Sequence, residues 1–131
     1  MTLEASSIVI GVADLDRARK FYAEGLGCPI VKDFPQFVSF RVGDGGSELG
    51  LYTWEALAQD AGVAATHEDG FRGVSFHDIV DTKKEVDEIM AKAEHAGAKI
   101  VRKAEASRWG GYFGWFADPD GHLWKVATSE Q

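Results

Sequence analysis

The same order of predicted strands and helices occurs twice along this chain. Up to about residue 53, a β-branched run is followed by apolar residues at helical spacing and by three more short apolar runs, which predicts β-α-β-β-β. From about residue 73 to 128 the same order recurs. The segments 27–32 (GCPIVK) and 97–102 (GAKIVR) match at a spacing of 70 residues. A repeat of this length predicts an α+β domain made of two similar modules.

The predicted boundaries treat residues 1–131 as one domain, with module 1 at about 5–53, a connecting segment at 54–72 and module 2 at about 73–128. Module 1 is predicted to contain strands Ser7–Val12, Ile30–Val31, Gln36–Val42 and Glu48–Tyr52, a helix after Asp14, and a turn at Asp44-Gly45-Gly46. Module 2 is predicted to contain strands Gly73–His77, Lys99–Arg102, Gly111–Ala117 and His122–Ala127, and a helix ending at Gly97.

The connecting segment contains a predicted short helix that begins after Thr53 and ends near Gly62. Two interpretations of this segment stay open. It could cover a pocket, or it could be a solvated connection between the modules.

Composition excludes several classes of function. The chain has 131 residues, which suits one domain, and its net charge of −7 disfavours nucleic acid and anionic membranes as partners. Cys28 is the only cysteine, so no intrachain disulfide can form, and we expect a cytoplasmic protein. No signal peptide or membrane-spanning stretch is evident. These features favour a small-molecule ligand.

Two segments, 11–27 (GVADLDRARKFYAEGLG) and 110–127 (GGYFGWFADPDGHLWKVA), resemble the glyoxalase, bleomycin-resistance and extradiol-dioxygenase superfamily, also called the vicinal oxygen chelate superfamily. The resemblance covers essentially the whole chain. It implies that each βαβββ module curls its strands into a half-open sheet cup. The sequence Asp118-Pro-Asp-Gly121 marks a tight turn and needs no catalytic role.

The resemblance also implies where a metal would bind in metal-dependent relatives. The four ligand positions of the superfamily fall on Ser7, Glu48, Gly73 and Lys125 of this chain. Only Glu48 retains a metal-binding side chain, because glycine has none and a protonated lysine repels a cation. We therefore expect no metal and no other cofactor, with a divalent metal in an atypical site as the alternative.

Strand alternation places a set of polar and aromatic residues on the cup side of the strands, away from the helices. His77 and Lys125 are the candidate catalytic residues among them. The alternatives are a structural histidine and a lysine that extends to solvent or pairs with Glu48. The predicted ligand-binding residues are Ser7, Arg41, Glu48, Tyr52, Ser75, His77, Trp109, Phe113, Trp115 and Lys125.

Arg41 and the aromatic residues also have two interpretations each. Arg41 is predicted to lie opposite Glu48 across a hairpin, where it could form an ion pair. Alternatively, Arg41 or Lys125 could clamp a carboxylate or phenolate of a ligand. The aromatic rings could line a flat ligand site or pack in the core or in a dimer interface. Trp124 and Phe116 are predicted to point away from the cup.

Three hypotheses of function follow. The first is metal-independent binding of a small planar or aromatic molecule, as in bleomycin-resistance members of the superfamily. The second is a lyase, isomerase or dioxygenase that uses a metal near Glu48 and His77, or no metal and Lys125 with His77. The third is a vestigial pocket in a protein that works through partners. The resemblance also implies a homodimer, because open sheet edges are commonly covered by a second subunit.

Overall fold

The computed structural model describes residues 2–43, 45, 47–66, 70–108 and 110–131. The chain divides into two compact units, Met1–Glu68 and Asp69–Gln131. The two units correspond to the two halves of the predicted repeat. The predicted turn at Asp44-Gly45-Gly46 lies partly outside the described residues, because Asp44 and Gly46 are not among them.

The first unit contains one four-stranded sheet, here called sheet 1. Its elements in chain order are β1 (Ser7–Val12), α1 (Leu15–Arg19), a π-helical continuation of α1 (Lys20–Gly25), β2 (Ile30–Asp33), β3 (Phe37–Arg41), β4 (Glu48–Thr53) and α2 (Trp54–Ala61). The strand order is β1-β4-β3-β2, with β1 parallel to β4 and the other pairs antiparallel.

Helix α1 begins at the predicted position because the Asp14 side chain accepts a hydrogen bond from the Arg17 backbone N–H over 3.0 Å. The helix and its π-helical continuation bury Phe21 and Tyr22 against one face of sheet 1. The Tyr22 ring lies 5.8 Å from the ring of Phe40 on β3. The alternating apolar residues of β1, β3 and β4 therefore form the core of this unit.

Helix α2 is the predicted helix of the connecting segment. The Thr53 hydroxyl accepts a hydrogen bond from the Ala56 backbone N–H over 3.3 Å, which caps its first turn. The indole of Trp54 lies against Gly11 so closely that a Cβ on Gly11 would be 2.8 Å from it. The start of the connecting segment is therefore packed onto β1.

The second unit repeats this arrangement in a second sheet, here called sheet 2. Its elements are β5 (Ser75–Ile79), α3 (Lys83–Ala96), β6 (Lys99–Ala106), β7 (Tyr112–Ala117) and β8 (Leu123–Thr128). The strand order is β5-β8-β7-β6, again with the first pair parallel and the others antiparallel. The predicted α+β class and the repeated βαβββ order are confirmed.

Helix α3 begins at the N-cap residue Thr82, whose hydroxyl accepts from the Glu85 backbone N–H over 3.1 Å and donates to the Glu85 carboxylate over 3.1 Å. Val86, Met90 and Ala93 form its buried side. Gly114 of β7 has no side chain, and this lets the end of Met90 approach the strand. The amphipathic pattern of the sequence thus decides which side of the helix packs against sheet 2.

Strand β5 starts two residues later than predicted. The predicted strand Gly73–His77 is wrong at both ends, because β5 runs from Ser75 to Ile79. Gly73 precedes the strand with φ of 80°, a conformation that does not belong to a strand. No described helix is long and apolar enough to cross a membrane.

Candidate functional site

Each sheet has one face covered by its helix and one face turned away from it, which we call the inner face. On sheet 1 the covered face carries the buried side chains of Ile10, Val12, Val38, Phe40, Leu49 and Leu51. The inner face of sheet 1 consists of Ser7, Val9 and Gly11 on β1, Glu48, Gly50 and Tyr52 on β4, and Phe37, Ser39 and Arg41 on β3.

Glu48 lies opposite Ser7 on one side and opposite Arg41 on the other. The predicted cross-strand position of Arg41 is confirmed. The carboxylate, however, accepts a hydrogen bond from the buried Ser39 hydroxyl over 2.7 Å and lies 3.9 Å from the ammonium of Lys32. Its ion pair is therefore formed with Lys32, which the sequence did not single out.

The aromatic residues of this inner face contact one another. The Tyr52 ring lies 5.0 Å from the Phe37 ring in an edge-to-face arrangement. Phe37 also covers Gly50, where a Cβ would come within 2.8 Å of its ring. Both rings stay half-buried, so part of their surface is accessible.

On sheet 2 the covered face and the inner face separate as predicted. Phe116 and Trp124 lie on the covered face, with their rings stacked at 6.2 Å and Phe116 only 2% exposed. The inner face of sheet 2 consists of Ser75, His77 and Ile79 on β5, Leu123, Lys125 and Ala127 on β8, Phe113, Trp115 and Ala117 on β7, and Arg102 on β6.

His77 lies directly opposite Lys125 on the neighbouring parallel strand. Its Nε2 is 2.9 Å from the Ser75 hydroxyl, and its ring meets the Trp115 ring edge to face at 5.6 Å. The imidazole is exposed and so accessible to a ligand. Three predicted site residues are thus brought into contact, and His77 has one ring nitrogen engaged by a hydroxyl.

Lys125 lies over aromatic rings. Its ammonium is 4.9 Å from the centre of the Phe113 ring and 5.9 Å from that of Trp115. The guanidinium of Arg102 is also 4.9 Å from the Phe113 centroid and pairs with Glu105. At these distances the cations are attracted by the negative faces of the rings. The inner face of sheet 2 therefore combines an aromatic floor with positive charge.

Arg102 is a residue that the sequence did not assign to the site. Strand β6 has register shifts between Ile100 and Arg102 and again between Arg102 and Glu105. Each bulge changes the face to which the following residues point, so simple alternation fails there. No local sequence signal marks these bulges, and Arg102 is assigned to the inner face by its observed pairing with Trp115. Trp109, another predicted ligand residue, lies outside the described residues.

The superfamily's metal positions can be compared with the observed register. Lys125 lies opposite His77, as Glu48 lies opposite Ser7. Gly73, on which the resemblance placed the second histidine position, lies before β5 and has no side chain.

These positions do not fit a divalent metal, which needs three or four donors. In sheet 1 a serine hydroxyl accompanies a carboxylate whose Oε1 already accepts from Ser39. In sheet 2 the imidazole of His77 has an ammonium as its neighbour. In the described part of the chain, no three His, Cys, Asp or Glu side chains form a group that could hold a metal.

A shallow groove of about 320 Å³ lies on the covered side of sheet 2, away from its inner face. It is lined by Asp87, Met90, Ala91, Glu94, Ile100, Lys103, Ala104 and Tyr112. The Tyr112 hydroxyl donates to Asp87 over 2.7 Å, and this hydrogen bond raises the pKa of the tyrosine. The groove is a second place where a ligand could bind, so any binding experiment must distinguish it from the inner face.

Comparison with known proteins assigns the fold to a family. The family model of the glyoxalase/bleomycin resistance protein/dioxygenase superfamily matches residues 5–126. The chain belongs to this superfamily. No curated protein matches the sequence.

Solved structures agree with this assignment. A glyoxalase-related enzyme from Fulvimarina pelagi is 31% identical, with a TM-score of 0.86, and the match covers 97% of this chain and 88% of that one. A lactoylglutathione lyase from Agrobacterium tumefaciens is 25% identical, with a TM-score of 0.72 and coverage of 98% and 95%. A superfamily enzyme from Burkholderia phytofirmans PsJN, at 22% identity and a TM-score of 0.83 with coverage of 97% and 99%, shares the fold.

Proposed function

We propose that this protein binds a small planar or aromatic molecule on the inner face of sheet 2 and that binding needs no metal. The observation that carries the proposal is the pair of half-buried rings, Phe113 and Trp115, that lie on an accessible face beside Lys125 and His77. A flat ligand that covers these rings would remove apolar surface from water and gain ring-to-ring contacts. Few polar groups are then needed to orient it.

The alternative is a metal-dependent lyase, isomerase or dioxygenase with an atypical site. The names of relatives such as the lactoylglutathione lyase from Agrobacterium tumefaciens support it. The side chains at the superfamily's metal positions oppose it, since a lysine occupies one of them and a serine another. Fold analogy alone is a weak argument for an activity. We therefore rank binding first.

Two measurements test the proposal. Elemental analysis of tag-free protein after dialysis, followed by titration with Mn, Fe, Ni and Zn, is expected to give no stoichiometric metal. Titration with 1-naphthalenemethanol and 1-naphthoate, followed by ¹H–¹⁵N NMR, is expected to shift the indole signal of Trp115. A metal that stays at one per chain would contradict the metal-independent part of the proposal and favour the enzyme.

Matched variants locate the binding site. Phe113→Leu and Trp115→Leu are each expected to weaken naphthyl binding by roughly two- to tenfold, since an aromatic contact contributes about 0.5–1.5 kcal/mol. Trp54→Phe, which changes a tryptophan in the first unit, is expected to leave the affinity unchanged. Shifts confined to the groove around Met90 and Tyr112 would refute the proposed location. Each variant is first checked for a folded NMR spectrum.

Self-association into a homodimer and a cytoplasmic location remain proposals that follow from the superfamily and from the single cysteine. In sheet 1 the edge strands are β1 and β2, and in sheet 2 they are β5 and β6. Unpaired edges are commonly covered by another subunit. Sedimentation equilibrium of the full chain is expected to give twice the monomer mass, and a monomer at all concentrations would reject the dimer.

A further inference from the structure

Four residues of the inner face form one row across sheet 2. Arg102 lies opposite Trp115, Trp115 lies opposite Lys125, and Lys125 lies opposite His77. The row contains a guanidinium, an ammonium and an imidazole around a single indole. In a chain with a net charge of −7, this is a local reversal of the overall charge.

The cationic groups of Arg102 and Lys125 differ in the partners that they already contact. Arg102 pairs with Glu105, and its guanidinium also lies over Phe113. Lys125 is half-buried, and its ammonium lies over the faces of Phe113 and Trp115. Within its own unit, no described carboxylate forms an ion pair with it. Ring faces attract an ammonium but accept no conventional hydrogen bond, so its three N–H donors stay available.

We propose that the planar ligand carries an anionic group, a carboxylate or a phenolate, and that this group binds to the ammonium of Lys125. This inference rests on the proposed function, because the aromatic part of the ligand must first lie on Phe113 and Trp115. A charge-assisted hydrogen bond to a half-buried ammonium is stronger than a neutral one. The ammonium thus selects anionic ring systems over neutral ones of equal size.

The geometry suits such a ligand. Lys125 lies 4.9 Å from the Phe113 centroid and 5.9 Å from the Trp115 centroid, so a ring that packs beside the ammonium against the exposed parts of these two aromatics would present its substituent to it. The guanidinium of Arg102, which is also 4.9 Å from the Phe113 centroid, adds positive potential. A cationic ligand would meet repulsion from both side chains.

The test compares 1-naphthoate with 1-naphthalenemethanol, which has the same ring system and no charge. By isothermal titration calorimetry at low salt, naphthoate is expected to bind the full-length protein on the order of tenfold more tightly. Raising the salt concentration should weaken naphthoate binding and leave the alcohol unchanged, because salt screens charge interactions at an accessible site. Cyclohexanecarboxylate, an anion without a planar ring, is expected to bind more weakly than naphthoate.

Variants assign the effect to one side chain. Lys125→Gln is expected to remove the preference for naphthoate, and Lys125→Arg to retain most of it. The matched control is Lys103→Gln, which removes the same charge from the groove side of the second unit. It is expected to leave the preference intact. If Lys125→Gln does not fold, the salt dependence and the naphthoate-to-alcohol ratio of the unaltered protein decide the question.

The outcomes separate the two proposals. Equal affinity for naphthoate and the alcohol would overturn the anionic ligand and leave the aromatic binding function standing. Preference for naphthoate that survives Lys125→Gln would also overturn the inference, because another residue would then bind the anion. Binding of neither naphthyl compound would overturn the proposed function, and the inference that rests on it would fall as well.

Discussion

The hydroxyl of Ser39, which is 1% exposed, donates a hydrogen bond to Oε1 of Glu48 over 2.7 Å. The bond joins β3 to β4 on the inner face of sheet 1, beside the ion pair of Glu48 with Lys32. Glu48 is the carboxylate that the superfamily resemblance assigned to a metal. Its existing partners give it a structural role in this chain that requires no metal.

A double-mutant cycle on this pair measures that role. Ser39→Ala is expected to destabilise the protein because it leaves a partly buried carboxylate oxygen without its donor. The coupling energy between Ser39→Ala and Glu48→Ala is expected to be about 1 kcal/mol. Urea unfolding of the four proteins supplies the numbers. Strictly additive effects would show that the hydrogen bond contributes nothing to stability.

Because the carboxyl group of Asp78 is partly buried, we expect the stability of the protein to depend on pH. Burial, followed by the negative charge of Glu85, raises the pKa of its carboxyl group above the ordinary aspartate value. The folded state therefore binds the carboxyl proton of Asp78 more tightly than the unfolded state does. As the pH rises from the ordinary aspartate pKa through the pKa in the folded protein, Asp78 loses this proton and the free energy of unfolding falls. Asp78→Asn is therefore expected to raise the free energy of unfolding at pH 7, with the gain disappearing in acid.

Carbon-13 NMR of the Asp78 carboxyl group checks the cause directly. Its titration midpoint is expected above that of an ordinary aspartate, about 3.9. Glu85→Gln keeps a capping side chain at the start of α3 and removes the neighbouring charge. It is expected to lower the midpoint only part of the way, because burial is the larger cause. A midpoint at the ordinary value in the unaltered protein would contradict this account.

Gly111 is a position where only glycine fits. Its φ is 87°, and a Cβ there would lie 2.5 Å from the backbone oxygen of Thr128. Gly73 has a similar φ of 80° and open space around it. Gly73→Ala is expected to cost about 1 kcal/mol from the backbone conformation alone. Gly111→Ala is expected to cost at least ~2 kcal/mol more, because a backbone oxygen cannot move aside cheaply.

Urea unfolding of the two glycine variants provides the comparison under one set of conditions. The Gly73→Ala variant serves as the control for the effect of positive φ. Equal losses of stability would show that the contact with Thr128 is not a constraint in solution.

The N-cap residue of α3, Thr82, gives a prediction for helix stability. Thr82→Ala removes the hydroxyl that accepts from the Glu85 backbone N–H, and it is expected to cost about 1 kcal/mol. Thr82→Ser keeps the hydroxyl and is expected to cost less than half of that. Thermal unfolding followed by circular dichroism measures both variants. Identical melting temperatures for the two would mean that the cap is not needed.

The sequence alone determined much of the fold. Local signals located the starts of α1 and α2 at Asp14 and Thr53 and the end of α3 at Gly97, because capping residues act on their own backbone within a few positions. Alternation along β7 and β8 likewise predicted that Phe113, Trp115 and Lys125 share a face and that Trp124 does not. These features depend on short-range geometry, which a sequence pattern carries directly.

Tertiary structure decided the partners of the site residues. Ser39 and Lys32 contact Glu48 because of the strand register of sheet 1. Arg102 contacts Phe113 because of two bulges in β6. A shift of one residue moves a side chain to the opposite face, and nothing local in the sequence fixes such a shift. The sequence therefore determined which residues could form a site, and the pairing of distant strands decided which of them touch.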